Sequence, residues 1–154
     1  DVEWVVNHAP SGGNDIKGEM LAALLGNDAM AIATMRGNLD AALTALANRL
    51  GEVRIYLANI YDSSDGQGNF GLHCEFARRL GAIAVPSDPI FERWNAAHAT
   101  VAAEQAQTLV EMHGAFYGHG FNSGDPWFAP DCTSRPRGPT ALAPISSAAC
   151  FGAC

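Results

Sequence analysis

The chain has few basic residues and no long apolar run, and each absence excludes a class of function. Nine Lys and Arg residues stand against sixteen Asp and Glu residues, which gives the 154-residue chain a net charge of −7 and leaves no basic patch to neutralise phosphates. No apolar run approaches the roughly 18 to 20 residues of a membrane-spanning helix. We therefore expect no nucleic-acid partner and no membrane span.

Motifs for metals and phosphate groups are also missing. The four cysteines, Cys74, Cys132, Cys150 and Cys154, include no Cys-x-x-Cys pair, and no two histidines stand at His-x-x-x-His spacing. We expect no metal site and no cofactor. A disulfide between Cys74 and Cys132 would suit an oxidising compartment, so an extracellular or periplasmic location is our first choice, and the cytosol stays open.

Three apolar runs alternate with helical patterns. With 48% hydrophobic residues, the chain can bury the core of one domain. Residues 2–7, 53–60 and 108–112 are typical of strands, and a helical pattern precedes each of the last two. Such alternation predicts a parallel sheet with helices on both faces.

Two helices are predicted from apolar stripes. The first begins after Asp28 and ends before Gly51, and the second begins at Ser87. We predict His98 to be a packing or surface residue of the second helix. The apolar stripe of the first helix contains Met35, Leu39, Leu43, Leu46 and Leu50, and that of the second contains Ile90, Trp94, Ala97 and Val101.

A glycine turn follows the first predicted strand, at Ser11-Gly12-Gly13-Asn14-Asp15. Open α/β sheets place their chemistry at the carboxyl ends of strands. Gly12 and Gly13 permit a tight turn and a close backbone approach to a ligand. Asn14 offers an amide donor of the kind that stabilises an oxyanion. The same composition also suits a helix cap without any function.

Polar loops follow the other two predicted strands. Asp62 opens a loop rich in glycine and serine, and His113 and His119 flank the loop after the third strand. Loops at this edge often line a binding site, so we predict that these three residues belong to a substrate loop. An ordinary surface loop remains the alternative.

Two of these motifs carry a resemblance to a known family. Gly12-Gly13-Asn14-Asp15 resembles the Gly-x-Asn-Asp block of the SGNH (GDSL-type) serine hydrolases. The stretch His113-Gly114-Ala115-Phe116, with Gly118-His119-Gly120 after it, is similar to a loop of some bacterial members. The resemblance covers about residues 2–133. It implies a three-layer α/β/α, flavodoxin-like parallel sheet and an esterase or lipase-like activity through a serine acyl-enzyme. The implied substrate is a small-molecule ester or an acylated carbohydrate.

The resemblance also implies roles for individual residues, and this chain departs from the family pattern at two places. It implies that Asn14 and the turn at Gly12 and Gly13 form the oxyanion hole, and that Asp131 orients the catalytic histidine. The family pattern is Asp-x-x-His, and Ser134 stands where that histidine would be. His113 or His119 could approach the site in its place, but a structural or substrate-loop role is our first choice for both. No Gly-Asp-Ser block, which carries the family's nucleophile, precedes Gly12.

Two hypotheses follow from these departures. In the first, residues 1–133 are a partial SGNH-hydrolase-like domain that is incomplete at its amino terminus and inactive alone, and residues 134–154 are an irregular tail translated from a shifted frame. In the second, the chain is a non-catalytic module, a pseudoenzyme that binds a carbohydrate or acyl ligand. A Gly-Asp-Ser segment in the upstream DNA favours the first hypothesis, and a start codon near Asp1 favours the second. The substrate and the oligomeric state are left open.

Overall fold

The computed structural model describes residues 3–6, 13–51, 54–68 and 85–127, without the side chains of residues 3–6, 13, 14 and 17. In chain order its elements are β1 (Glu3–Val6), α1 (Gly13–Gly18), α2 (Met20–Leu24), α3 (Ala29–Leu50), β2 (Arg54–Ala58), α4 (Asp88–Glu104), β3 (Thr108–Val110) and α5 (Met112–Phe116). No helix within these ranges has the length and apolarity to cross a bilayer.

The described strands form one parallel sheet in the order β1-β2-β3. Glu3 pairs with Arg54 in the first ladder, and Tyr56 pairs with Thr108 in the second. Parallel neighbours need crossover connections, and helices lie in both of them: α1 to α3 in the first and α4 in the second. The α/β class predicted from the sequence is confirmed. All three strands end at the same edge of the sheet.

The third strand is shorter than predicted. It ends at Val110, whereas the sequence pattern extended it to residue 112, which is the first residue of α5. The main-chain N–H of His113 donates to Oδ1 of Asn59 at 2.8 Å. This contact turns the chain away from the sheet, so the prediction for residues 111 and 112 was wrong.

The long helix α3 confirms most of its predicted stripe. Met35, Leu39 and Leu43 are buried, and Leu46 packs against the same core. Leu50, the last member of the predicted stripe, is 40% exposed. It is the last residue of the helix, and Gly51, with φ of 73°, then turns the chain towards β2.

Helix α4 carries the largest buried side chains. The predicted face is buried, and His98 is buried beside it, with its Nδ1 3.0 Å from the carbonyl oxygen of Trp94. Trp94 also donates its indole N–H to Oδ2 of Asp28 at 2.9 Å. Arg93 reaches the same oxygen at 3.0 Å. Asp28 stands at the N-cap of α3, but its side chain makes no cap bond and instead joins α3 to α4.

The helices α3 and α4 contact each other within one apolar core, which also includes Ile55 and Leu57 of β2. Helices on opposite faces are separated by the sheet, so these two share a face. Right-handed crossovers in the order β1-β2-β3 place them on one face as well. The described residues therefore show a parallel sheet with a helical layer on one face.

Candidate functional site at the carboxyl edge of the sheet

The carboxyl edge is built by three chain segments. Helix α1 begins at Gly13 after β1, the segment 59–68 (the β2 exit loop) follows β2, and the segment 111–127 (the β3 exit loop, which includes α5) follows β3. Parallel strands bring these segments to one edge because their carboxyl ends align. The segments after β2 and β3 are joined by side-chain hydrogen bonds.

Asn59 joins the ends of β2 and β3. Its main-chain N–H donates to the carbonyl oxygen of Val110 at 3.1 Å, and its Oδ1 accepts from the N–H of His113. Its Nδ2 donates to Oε2 of Glu111 at 2.9 Å. The buried side-chain amide therefore has a hydrogen-bond partner for its oxygen and for its nitrogen, and both partners belong to the segment that follows β3. We did not predict this role; the signal was an Asn placed directly after an apolar strand.

Asp62 lies at the centre of the β2 exit loop and is 1% exposed. Its Oδ1 accepts from the N–H and the hydroxyl of Ser64, at 2.8 and 2.6 Å. Its Oδ2 accepts from the N–H of Gly66 at 3.1 Å and from the hydroxyl of Ser87. Both hydroxyls in turn accept from the N–H of Gly68, at 2.9 and 3.0 Å. Asp62 therefore shapes the loop from within rather than facing a ligand.

The same network explains why Ser64 and Ser87 are poor candidates for a nucleophile. Both side chains are buried, at 1% and 2% exposure, and both hydroxyl protons point at Asp62. A serine nucleophile needs an exposed oxygen and a base that takes its proton. Ser87 precedes α4, as predicted, but its side chain makes no cap bond because it is used by Asp62.

Asp65 holds the β3 exit loop against the β2 exit loop. Its Oδ1 accepts from the N–H of Gly118 at 2.9 Å, and its Oδ2 accepts from the N–H of Gly120 at 2.9 Å. The N–H of Phe121 donates to the carbonyl oxygen of Ser63 at 2.9 Å. A Cβ on Gly120 would lie 2.5 Å from that same oxygen, so this approach requires glycine. The two loops therefore behave as one unit.

His113 lies between aromatic rings. Its ring stacks on Phe91, with centroids 6.0 Å apart, and meets Tyr117 edge-on at 5.9 Å. Its Nδ1 is buried and has no hydrogen-bond partner in the described part of the chain. The Oδ1 atom of Asp88 is likewise buried and has no hydrogen-bond partner in the described part of the chain. Both atoms are exceptions, because buried polar groups are normally paired.

Tyr117 connects His113 to Asp88. Its hydroxyl donates to Oδ2 of Asp88 at 3.1 Å. This hydrogen bond raises the pKa of Tyr117 above its ordinary value of 10.0, and partial burial and the charges of Asp88, Asp65 and Asp62 act in the same direction. The neutral phenol is thus favoured, and the edge around it is acidic.

His119 is positioned more tightly than His113. Its ring stacks on Trp127 with centroids 3.8 Å apart, and its Nδ1 lies 3.0 Å from the carbonyl oxygen of Asp125. Trp127 also packs edge-on against Phe116, which stacks on Tyr61. A second apolar cluster, centred on Phe116, therefore stabilises the β3 exit loop.

The predicted site residues fall into two groups. Asp62, His113 and His119 lie in joined loops at the carboxyl edge. Gly12 and Asp131 lie outside the described residues, as do the tail 134–154 and all four cysteines. Gly13 and Asn14 are the first two residues of α1, and their side chains also lie outside the description. The role predicted for Asn14 thus stays a prediction.

Within the described ranges, no three His, Cys, Asp or Glu side chains are grouped so that they could hold a metal ion. The described side chains at this edge include hydrogen-bonding groups and aromatic rings. Comparison with protein-family models, with curated proteins and with solved structures gives no match to this chain.

Proposed function

We propose that this chain forms the oxyanion-hole and substrate-loop portion of an SGNH-type ester hydrolase. The proposal includes a three-layer α/β/α sheet of which the described strands are a part. Asn14, with backbone amides of the turn at Gly12 and Gly13, holds the oxyanion, and Asp131 orients the base of the complete enzyme. The substrate is a small-molecule ester or an acylated carbohydrate.

The observation that carries the proposal is the convergence of three segments at one edge. Helix α1, whose first residue is Gly13, follows β1, and the order β1-β2-β3 sets the carboxyl end of β1 beside that of β2. The β3 exit loop is bonded to that same loop through Asp65. An ester hydrolase needs donors for an oxyanion and a rigid wall for the substrate at one place. This arrangement supports both requirements.

The serine-ester step requires a nucleophile from outside these residues. The 154 residues contain no Gly-Asp-Ser block, and Ser64 and Ser87 are both engaged with Asp62. In the complete enzyme, the serine oxygen attacks the ester carbonyl and forms an acyl-enzyme, and water then hydrolyses it. The purified chain should show no serine-dependent turnover of a short-chain p-nitrophenyl ester.

The deciding experiment reads the coding DNA in all frames for several hundred bases upstream and through codon 134. We expect an upstream Gly-Asp-Ser segment and a neighbouring frame that encodes Asp-x-x-His from Asp131. A protein built with both should hydrolyse short-chain p-nitrophenyl esters. Asn14→Ala should then lower kcat by about 10²- to 10³-fold, as loss of an oxyanion donor does.

Asn27 provides a matched control, because it also stands in a Gly-Asn-Asp sequence and is exposed. Asn27→Ala should leave kcat within about twofold, since surface substitutions rarely matter. Equal effects of the two substitutions would remove the oxyanion role from Asn14. An intact frame through codon 134 without any upstream Gly-Asp-Ser would overturn the hydrolase proposal.

A binding module on the same sheet is the second candidate. It is favoured by the buried Nδ1 of His113 and Oδ1 of Asp88, which have no hydrogen-bond partner in the described part of the chain and whose residues both contact Tyr117. A start codon near Asp1 and an intact tail would favour this candidate. In that case, a carbohydrate or acyl ligand should bind the chain without turnover, as isothermal titration calorimetry can measure.

A further inference from the structure

The ring of His119 is fixed on two sides. Its Nδ1 lies 3.0 Å from the carbonyl oxygen of Asp125 and 3.6 Å from a carboxylate oxygen of the same residue. One ring face is covered by Trp127, at a centroid distance of 3.8 Å and an interplanar angle of 13°. The indole N–H of Trp127 in turn donates to Oδ2 of Asp125 at 3.3 Å. The imidazole therefore has one supported orientation.

The backbone around His119 is fixed as well. The N–H groups of its two neighbours, Gly118 and Gly120, both donate to the carboxylate of Asp65. The carbonyl oxygen of His119 accepts from the N–H of Trp127 at 2.9 Å. A ring held by its own loop and anchored to a second loop is suited to precise chemistry, because little motion remains to be lost.

The second ring nitrogen of His119 is available. A carbonyl oxygen can only accept, so Nδ1 carries the proton in the neutral ring, and Nε2 presents its lone pair. Nε2 has no hydrogen-bond partner within the described ranges, and the side chain is 29% exposed. His98, by contrast, is fully buried, and Nδ1 of His113 is buried.

We propose that His119 is a general base at the carboxyl edge, with Asp125 as the residue that orients it. The proposal rests on the ester chemistry of the proposed function. It assigns proton transfer to a residue that the family resemblance does not use for it, in a chain where Ser134 replaces the expected histidine. It departs from the hypothesis that the chain alone is inactive, because a water nucleophile does not require the serine of a Gly-Asp-Ser block.

The step uses water as the nucleophile. Nε2 of His119 takes a proton from water as the water oxygen forms a bond to the ester carbonyl carbon. The bond from that carbon to the leaving oxygen then breaks, and Nε2–H returns the proton to the leaving alkoxide. The products are a carboxylic acid and an alcohol, and the imidazole is regenerated. Nδ1–H stays on the carbonyl of Asp125 throughout.

The first test is hydrolysis of p-nitrophenyl acetate by the purified chain. We expect turnover above the buffer blank that is slower in D₂O and resistant to a serine-directed fluorophosphonate. His119→Gln should lower it by about a hundredfold, the lower end for loss of a general base. Glu92→Gln, on the exposed face of α4, is the control and should change nothing. Absence of turnover, or equal rates for the chain and His119→Gln, would overturn the proposal.

A matched glycine pair separates positioning from folding. A Cβ on Gly120 would meet the carboxylate of Asp65 at 2.6 Å, whereas one on Gly124 would meet nothing within 4 Å. Gly120→Ala should therefore lower turnover at least tenfold, with α-helical circular dichroism retained, and Gly124→Ala should not. Equal effects of the two substitutions would mean that the Asp65 contact does not position His119.

Chemical modification gives a readout that does not require turnover. Diethyl pyrocarbonate modifies an accessible, unprotonated imidazole nitrogen, and mass spectrometry assigns the modified histidine. His119 should react at least tenfold faster than His113, and its modification should parallel the loss of turnover. Equal rates would contradict the assignment. Inhibition by the fluorophosphonate would instead locate an active serine in this chain. That result would overturn the water step assigned to His119 and would also contradict a nucleophile supplied from outside these residues.

Discussion

Two buried aspartates, Asp28 and Asp62, are stabilised in different ways. Asp28 lies between α2 and α3 and accepts from Arg93 and Trp94 of α4, which are 65 and 66 residues away along the chain. Asp62 accepts no hydrogen bond from an Arg or Lys of the described ranges. Its partners are the hydroxyls of Ser64 and Ser87 and two N–H groups of its own loop. The first carboxylate joins helices, and the second shapes a loop.

The comparison shows that the helical layer and the carboxyl edge are stabilised by different forces. The helical layer is held by burial of large apolar side chains, with Asp28 as a polar addition to it. The edge has a smaller apolar cluster around Phe116, and carboxylate acceptors provide most of its order. Apolar truncation should therefore damage the first region most, and removal of an acceptor should damage the second.

The largest effect is expected at the helical layer, from Trp94→Ala. The substitution leaves a cavity around the largest fully buried side chain and removes one donor from Asp28. The free energy of unfolding should fall by about 3 to 5 kcal/mol. Urea denaturation measures it, with Glu92→Gln on the same helix as a control. A loss as small as that of the control would show that α4 does not anchor the core.

At the carboxyl edge, Asp62→Ala should lower the free energy of unfolding by about 3 kcal/mol, because it leaves buried hydroxyl and N–H donors without an acceptor. Hydrogen exchange should show faster exchange at Gly66 and Gly68 while amides of α3 stay protected. Uniform acceleration across the chain would contradict the local role of Asp62.

Acid should weaken the contacts through which Asp28 joins α3 to α4. Burial alone would raise the pKa of Asp28, but the hydrogen bonds from Arg93 and Trp94 and the charge of Arg93 outweigh it, so the pKa lies below its ordinary value of 3.8. The stabilisation is therefore complete above that value and is lost as the pH falls through the lower, folded-state pKa.

Asp28→Asn tests this dependence, since both donors bond to one oxygen and an amide oxygen can replace it. The stability difference between the chain and Asp28→Asn should shrink as the pH falls below 4, when measured by urea denaturation. A difference that stays constant into the acid range would contradict an ionised, paired Asp28.

The smallest effect is expected from Tyr117→Phe, because the side chain is 47% exposed. The loss of one hydrogen bond to Asp88 should cost about 0.5 to 1 kcal/mol. The pKa of Tyr117 is raised, so its stabilising contribution is present below pH 10.0 and is lost as the pH rises through the folded-state pKa. The ultraviolet titration difference between the chain and Tyr117→Phe should centre above pH 10.0, and a centre below it would contradict the Asp88 bond.

Helix and strand patterns were the most predictable part of this fold. The stripes of α3 and α4 follow from a repeat of 3.6 residues, and burial of Met35, Leu39, Trp94 and Val101 confirms them. Strand ends were less predictable. The pattern Thr-Leu-Val-Glu-Met extends the predicted strand two residues past Val110, but the bond between Asn59 and His113 ends the strand. Such a contact depends on two segments that are far apart in the chain.

The position of the polar loops was predictable, but their hydrogen bonding was not. Polar loops after strands indicated the carboxyl edge, and Asp62, His113 and His119 do lie there. The sequence did not reveal that Asp62 faces inward or that Asp65 is the acceptor that joins the loops. A carboxylate in a glycine-rich loop can face a ligand or its own backbone, and only the turn geometry distinguishes them.

The sequence by itself determined the α/β class, the helix faces and the edge at which polar residues collect, because these follow from local periodicity and from the alternation of elements. Tertiary structure alone decided the partners of Asp28, the inward turn of Asp62 and the orientation of His119. The partners of Asp28 come from a segment distant in sequence, whereas the inward turn of Asp62 and the orientation of His119 depend mainly on the course of their own loops. A hydrogen bond depends on positions in space that periodicity does not specify.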